Sequence, residues 1–227
     1  MRLTIVLLLT LTATAAFSKE FPFYFGADVQ YCKMCFKQNY GDNLYSKKSL
    51  GLNPFVGINI KDSPFSIEAG YQYCDSSRTS TLTANEYASG VQVPQMLEPI
   101  TFRSSLKLKG PHVSLLLLTP RYDVYPVQFF GGIGISHTKA TFERATMQFN
   151  SLVGKTNRKM EASRSLRRLT LGANYFFTEN FAIRATLALV NTEKLHAFAS
   201  NGIQSHFIPE VRPQNSVYYG LGLRWGF

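Results

Sequence analysis

Beyond the apolar core at Leu3 to Leu11, the chain has no run approaching the ~20 residues a helix needs to span a bilayer. That excludes a helical membrane protein but not a barrel, whose strands are only half apolar. Acid is scarce, with 14 Asp and Glu against 24 Lys and Arg and a net charge of +10. Cysteines number three, and tryptophan occurs once. Cys32-Lys33-Met34-Cys35 has metal-site spacing, but neither a second such pair nor a nearby His completes a zinc site. No phosphate loop, dinucleotide fingerprint or HExxH motif is present. Neither a metal nor a cofactor is therefore expected. Solenoid repeats and low-complexity tracts are also missing.

What the chain does have is aromatics, 14% of residues, with 18 Phe and 12 Tyr. Barrels place such residues as girdles at both membrane interfaces. Residues 1–18 read as a secretory signal: Arg2, then an apolar core too short to span, then small residues at Thr12 to Ala16. Residues 19–227 are expected to form one domain. In an oxidising periplasm two of Cys32, Cys35 and Cys74 should pair. Cys32–Cys35 is the local choice, and either with Cys74 would tie the first long loop to the second.

Period-two alternation recurs eight times. The predicted strands lie at about 22–31, 49–60, 65–74, 104–119, 127–138, 165–177, 181–191 and from Ser216 to the end. Pro111 is expected to break the fourth, and Leu115 to Leu118 give no alternation there. The last strand is the clearest. Tyr219, Leu221, Leu223, Trp225 and Phe227 share one face, while Gly220, Gly222, Arg224 and Gly226 share the other. Greasy outside and small or polar inside is the pattern of a strand in lipid. The connections 61–64, 120–126 and 178–180 are short; 32–48, 75–103, 139–164 and 192–215 are long. This predicts an all-β, eight-stranded, antiparallel up-and-down transmembrane barrel with short periplasmic turns and four long extracellular loops. A soluble lipocalin-like barrel would be apolar inside instead.

Signal segment, eight strands, alternating connections and the terminal Phe together resemble the small outer-membrane barrel superfamily. The outer membrane protein A transmembrane domain and the opacity-type surface antigens are the nearest in pattern. The resemblance implies integral residence in a Gram-negative outer membrane, within its lipid and lipopolysaccharide. It implies a terminal strand read by the barrel assembly machinery through Tyr219, Leu221, Leu223, Trp225 and Phe227. It also implies loops that contact host cells or matrix, with porin-like architecture.

Three sets of residues carry candidate chemistry. Asp28, Glu68, Arg184 and Arg224 fall on inward faces, and buried charges must be paired, which predicts ion pairs across the lumen. Such a cluster suits a structural plug better than a gate or proton path. His112 and Ser114 share one strand face, as in the His-x-Ser pair of outer-membrane lipid A deacylases and phospholipases. Asp123 and Glu143 are the nearest downstream carboxylates that could orient the His. Asp75-Ser76 resembles part of a palmitoyltransferase site, but 32–48 lacks the His that pattern needs. Finally, Lys139, Arg144, Lys155, Arg158, Lys159, Arg164, Arg167 and Arg168 surround the third long loop against only Glu143 and Glu161. They suit lipid phosphates or sulfated glycans, with no specific nucleic acid expected. The principal reading is a non-enzymatic surface barrel acting through its loops. The alternatives are a lipid esterase at His112 and Ser114, and a narrow pore or apolar-solute conduit.

Overall fold

The computed structural model describes residues 22–38, 48–82, 100–120, 126–146, 157–192 and 211–227. The predicted secretory segment, residues 1–18, lies outside the described residues, as do Lys155 and Asp123. Eight strands follow in chain order: β1 Phe23–Gln38, β2 Lys48–Asn59, β3 Phe65–Leu82, β4 Ile100–Leu118, β5 Val127–Thr146, β6 Asn157–Phe176, β7 Phe181–Val190 and β8 Val211–Gly226. Each pairs antiparallel with its chain neighbours, and β8 returns to β1, closing the barrel. Closure gives every strand a hydrogen-bonded neighbour on both sides through the lower barrel.

Short turns crowd one end. Ile60 N donates to Phe65 O across one turn, with Asp62 in the left-handed region at φ 54°. Phe177 N donates to Phe181 O across another, which Thr178 Oγ1 reinforces by accepting from Phe181 N. The strand ends that the long connections join lie at the opposite end.

At the short-turn end an apolar belt covers the outside. Ile133, Ile135, Val56 and Leu221 are each at least 60% exposed, which only lipid tolerates. Aromatics ring its lower edge: Phe25 stacks on Phe227, and Phe181 meets Trp225, both pairs at 5.7 Å. Tyr31 and Tyr219 pair higher up.

The strands differ from the sequence reading in length. β3, β5 and β6 run well past the predicted ends at 74, 138 and 165, so the long connections shrink to 39–47, 83–99, 147–156 and 191–210. A lipid-spanning strand needs only ~9–11 residues. The surplus forms a wall beyond the apolar belt, and there the alternation reverses. On β4, Leu106 and Leu108 point inward while Lys107 and Lys109 point outward. Lower on the same strand, Val113, Leu115 and Leu117 point outward and His112 and Ser114 inward.

β4 also corrects the expectation of a break at Pro111. The strand is continuous, and Tyr71↔Pro111 remain register partners on the β3 side. Pairing to β5 lapses only between Lys109↔Lys139 and His112↔Ser136, where Pro111 has no N–H to give. Gly110 beside it permits close approach: a Cβ there would sit 1.8 Å from His137 O. Leu116 turns inward between the outward Leu115 and Leu117, so the unalternating run still obeys the pleat.

Candidate functional site

The lumen holds two layers of opposite chemistry. The lower one centres on Arg184 of β7, which reaches across to β3. Its Nη1 and Nη2 donate to Glu68 at 2.5 and 2.9 Å in a fork-to-fork pair. Its Nε lies 4.0 Å from Asp28 Oδ2 of β1. The guanidinium is sandwiched between the Phe55 and Phe130 rings, 4.2 and 4.6 Å from their centroids. Thr186 and Asn53 donate to Asp28, and Tyr24 donates to Glu68. Arg224 lies 4.0 Å over the Tyr24 ring and donates to Gln128, so it joins the layer by stacking. Asp28, Glu68, Arg184 and Arg224 are therefore all in the lumen, where Arg184 and Glu68 form a tight ion pair.

His112 and Ser114 are also buried in the lumen. His112 Nε2 bonds Asn53 Oδ1 at 2.8 Å, while its Nδ1 and the Ser114 hydroxyl have no hydrogen-bond partner among the described residues. No base contacts that hydroxyl there, and neither side chain faces the lipid. Glu143, a sequence candidate to orient the His, instead accepts from Ser105 and pairs with Lys107 on the outer wall. Arg168, grouped by sequence with the basic loop, is likewise in the lumen. It donates to Gln72 at 2.8 Å and to Thr170. Leu169 and Leu171 point outward, so parity already requires Arg168 to point inward.

The upper layer is apolar: Met34, Leu106, Leu108, Phe142, Leu166 and Tyr218 pack around the Cys32–Cys74 disulfide. The bond formed is a long-range one, joining β1 to β3 rather than loop to loop, because both strands extend through these positions. It passes inside β2 at Gly51, where a Cβ would meet Cys74 Sγ at 2.6 Å and Cys32 Sγ at 3.1 Å. The Cys35 side chain lies outside the described residues.

Outside this layer the wall is charged. Lys139 and Lys159 pair with Glu161 at 2.7 and 2.9 Å. Hydrogen bonds from Lys139 and then Lys159 hold the Glu161 carboxyl down at about 2. His137 bonds Ser163 and Ser165. Lys159, Arg164 and Arg167 are exposed. Arg144 and Arg158 are register partners across β5 and β6.

A closed ring of eight antiparallel strands, greasy outside at one level and crossed by buried charge within, is an integral outer-membrane β-barrel. Residues 4–208 match the family described as outer membrane protein beta-barrel domain, and the chain belongs to it. It shares its fold with Neisserial surface protein A, at 15% identity and TM-score 0.54, over 90% of this chain and 97% of that one. A major outer membrane protein of Thermus thermophilus matches at 12% and 0.53, over 91% and 99%. OprG of Pseudomonas aeruginosa matches at 12% and 0.51, over 92% and 96%. No curated protein matches the chain.

Proposed function

We propose that this is a non-enzymatic surface barrel of a Gram-negative bacterium, which contributes to the envelope and binds host or matrix ligands at its long-loop end. One observation supports this most: the lumen is occupied by an ion-paired layer and an apolar layer in series, which leaves the outer wall and loops as the working surface. Residues 1–18 direct export, and Tyr219 to Phe227 present the assembly signal. The wall above the belt is studded with Lys107, Lys109, Lys139 and Lys159, suiting an acidic partner. Cells displaying the protein should bind extracellular matrix, and replacing Lys109, Lys139 and Lys159 with Gln should weaken that binding while surface level stays constant. Undiminished binding would reject the basic wall as the contact.

The esterase reading fares worse, because His112 bonds Asn53 rather than Ser114. Ser114→Ala should leave the cell's lipid A profile unchanged. The pore reading predicts conductance through a lumen that holds Arg184 between two aromatic rings. Planar bilayers with refolded protein should stay silent.

A further inference from the structure

β7 is the shortest strand and stops at Val190, while β6 and β8 continue past it. On the outer face at its upper end lies a groove of about 610 Å³. Its lower wall is Ile133, Leu169 and Leu189, in register across β5, β6 and β7, all lipid-exposed. One pleat higher the lining turns polar, with Arg167, Asn191 and Asn215 beside Ile135. The Asn191 backbone N–H donates to Arg167 O at 3.1 Å, which fixes that row at one level. The groove thus straddles the line where the outer surface changes from apolar to charged.

Arg167 differs from the other outward cations of β5 and β6. Lys139 and Lys159 share Glu161, whereas Arg167 forms no ion pair among the described residues. An exposed guanidinium at a membrane boundary presents forked donors that match a phosphate. The apolar wall below it requires an occupant with hydrocarbon attached to that phosphate.

We propose that this groove binds a phosphorylated acyl lipid of the outer leaflet, with Arg167 on the phosphate and an acyl chain along Ile133, Leu169 and Leu189. A soluble anion would leave the apolar wall uncovered. An apolar solute would gain nothing from the guanidinium. The site is independent of any ligand held at the long-loop end.

The test is native mass spectrometry of the full-length folded protein, ejected from detergent micelles doped with bis-phosphorylated lipid A. Wild type should retain the lipid. Arg167→Gln should retain it about tenfold less, as expected for a lost charge-assisted contact, and Arg167→Lys should fall between. Dephosphorylated lipid A should bind wild type no better than lipid A binds Arg167→Gln. Arg103→Gln, at an exposed position of β4 away from the groove, should behave as wild type. Leu189→Trp, which fills the groove from the lipid side, should also lose retention, and it supplies the answer if Arg167→Gln fails to fold. Folding of each variant is checked by the gel shift on boiling. Equal retention by either blocking variant, equal retention of the dephosphorylated lipid, or displacement by inorganic phosphate would each overturn the proposal.

Discussion

The two halves of this barrel are built from the same eight strands and have opposite polarity. In the lower half, apolar side chains face out and Asp28, Glu68, Arg184 and His112 face in. In the upper half, lysines face out and Leu106, Leu108, Phe142 and Leu166 face in. The strands continue across the change without losing parity, because the register of β4 on β5 is the same on both sides of it: Lys109↔Lys139 above and His112↔Ser136 below. The comparison teaches that the pleat merely assigns residues to two faces. Which face is apolar depends on what lies outside: lipid below, water above. The upper half is a soluble-type barrel standing on a membrane-type one.

The sharpest way to break the comparison is to remove the central charge of the lower half. Arg184→Ala strands Glu68 and Asp28 in the lumen and should cost about 3–5 kcal/mol, read from urea unfolding in detergent or lipid. Replacing Arg184, Glu68 and Asp28 together with apolar residues of similar volume should recover much of that. No recovery would mean that the layer has a role beyond mutual neutralisation. In the upper half, Phe142→Ala should cost a comparable ~3–5 kcal/mol through cavity formation, although the residue lies beyond the belt. A loss below ~1 kcal/mol would show that the upper lumen is not a packed core.

Breaking Cys32–Cys74 should cost about 2–4 kcal/mol, since it closes a long loop across 42 residues of sequence. Cys32→Ser with Cys74→Ser should therefore unfold at lower urea than the oxidised protein, and reductant should shift only the latter. The smallest effect belongs to the outer wall. Glu161 has its carboxyl depressed to about 2 by Lys139 and Lys159, so its pairing helps the folded state above the usual carboxylate range and is lost as pH falls toward 2. NMR titration should show Glu161 ionised at pH ~3.5, below the usual carboxylate midpoint, and Lys139→Ala should bring its midpoint upward. Both charges are exposed, so Lys139→Ala should move global stability little.

Much of the lower half is legible in the sequence, because apolar-out alternation is a strong signal where the outside is lipid. The inward positions of Asp28, Glu68, Arg184 and Arg224 follow from parity alone. The upper parts of β3, β5 and β6 read as loop because stretches such as Lys139-Ala140-Thr141-Phe142 place their apolar residues on the face opposite to the belt. A period-two search fixed on one polarity cannot see them. Arg168 falls in with the basic loop for the same reason, by neighbourhood instead of parity. Which cysteines pair is not decidable from spacing either. The partner becomes clear only once β1 and β3 flank β2 with Gly51 leaving room between them. Partners such as Asn53 for His112 and the Phe55 and Phe130 rings around Arg184 depend on shear and strand tilt, which no local pattern encodes.

The most direct test of the inversion is a spin-label scan along the outward positions of β4 in liposomes, using single cysteines at Leu117, Leu115, Val113, Lys109 and Lys107 in a Cys35→Ser background. Oxygen should relax labels at the first three sites, and a water-soluble nickel reagent should relax those at Lys109 and Lys107, with the crossover at Pro111. Oxygen dominance continuing through Lys107, or nickel access already at Leu115, would contradict a barrel that reverses its polarity at that level.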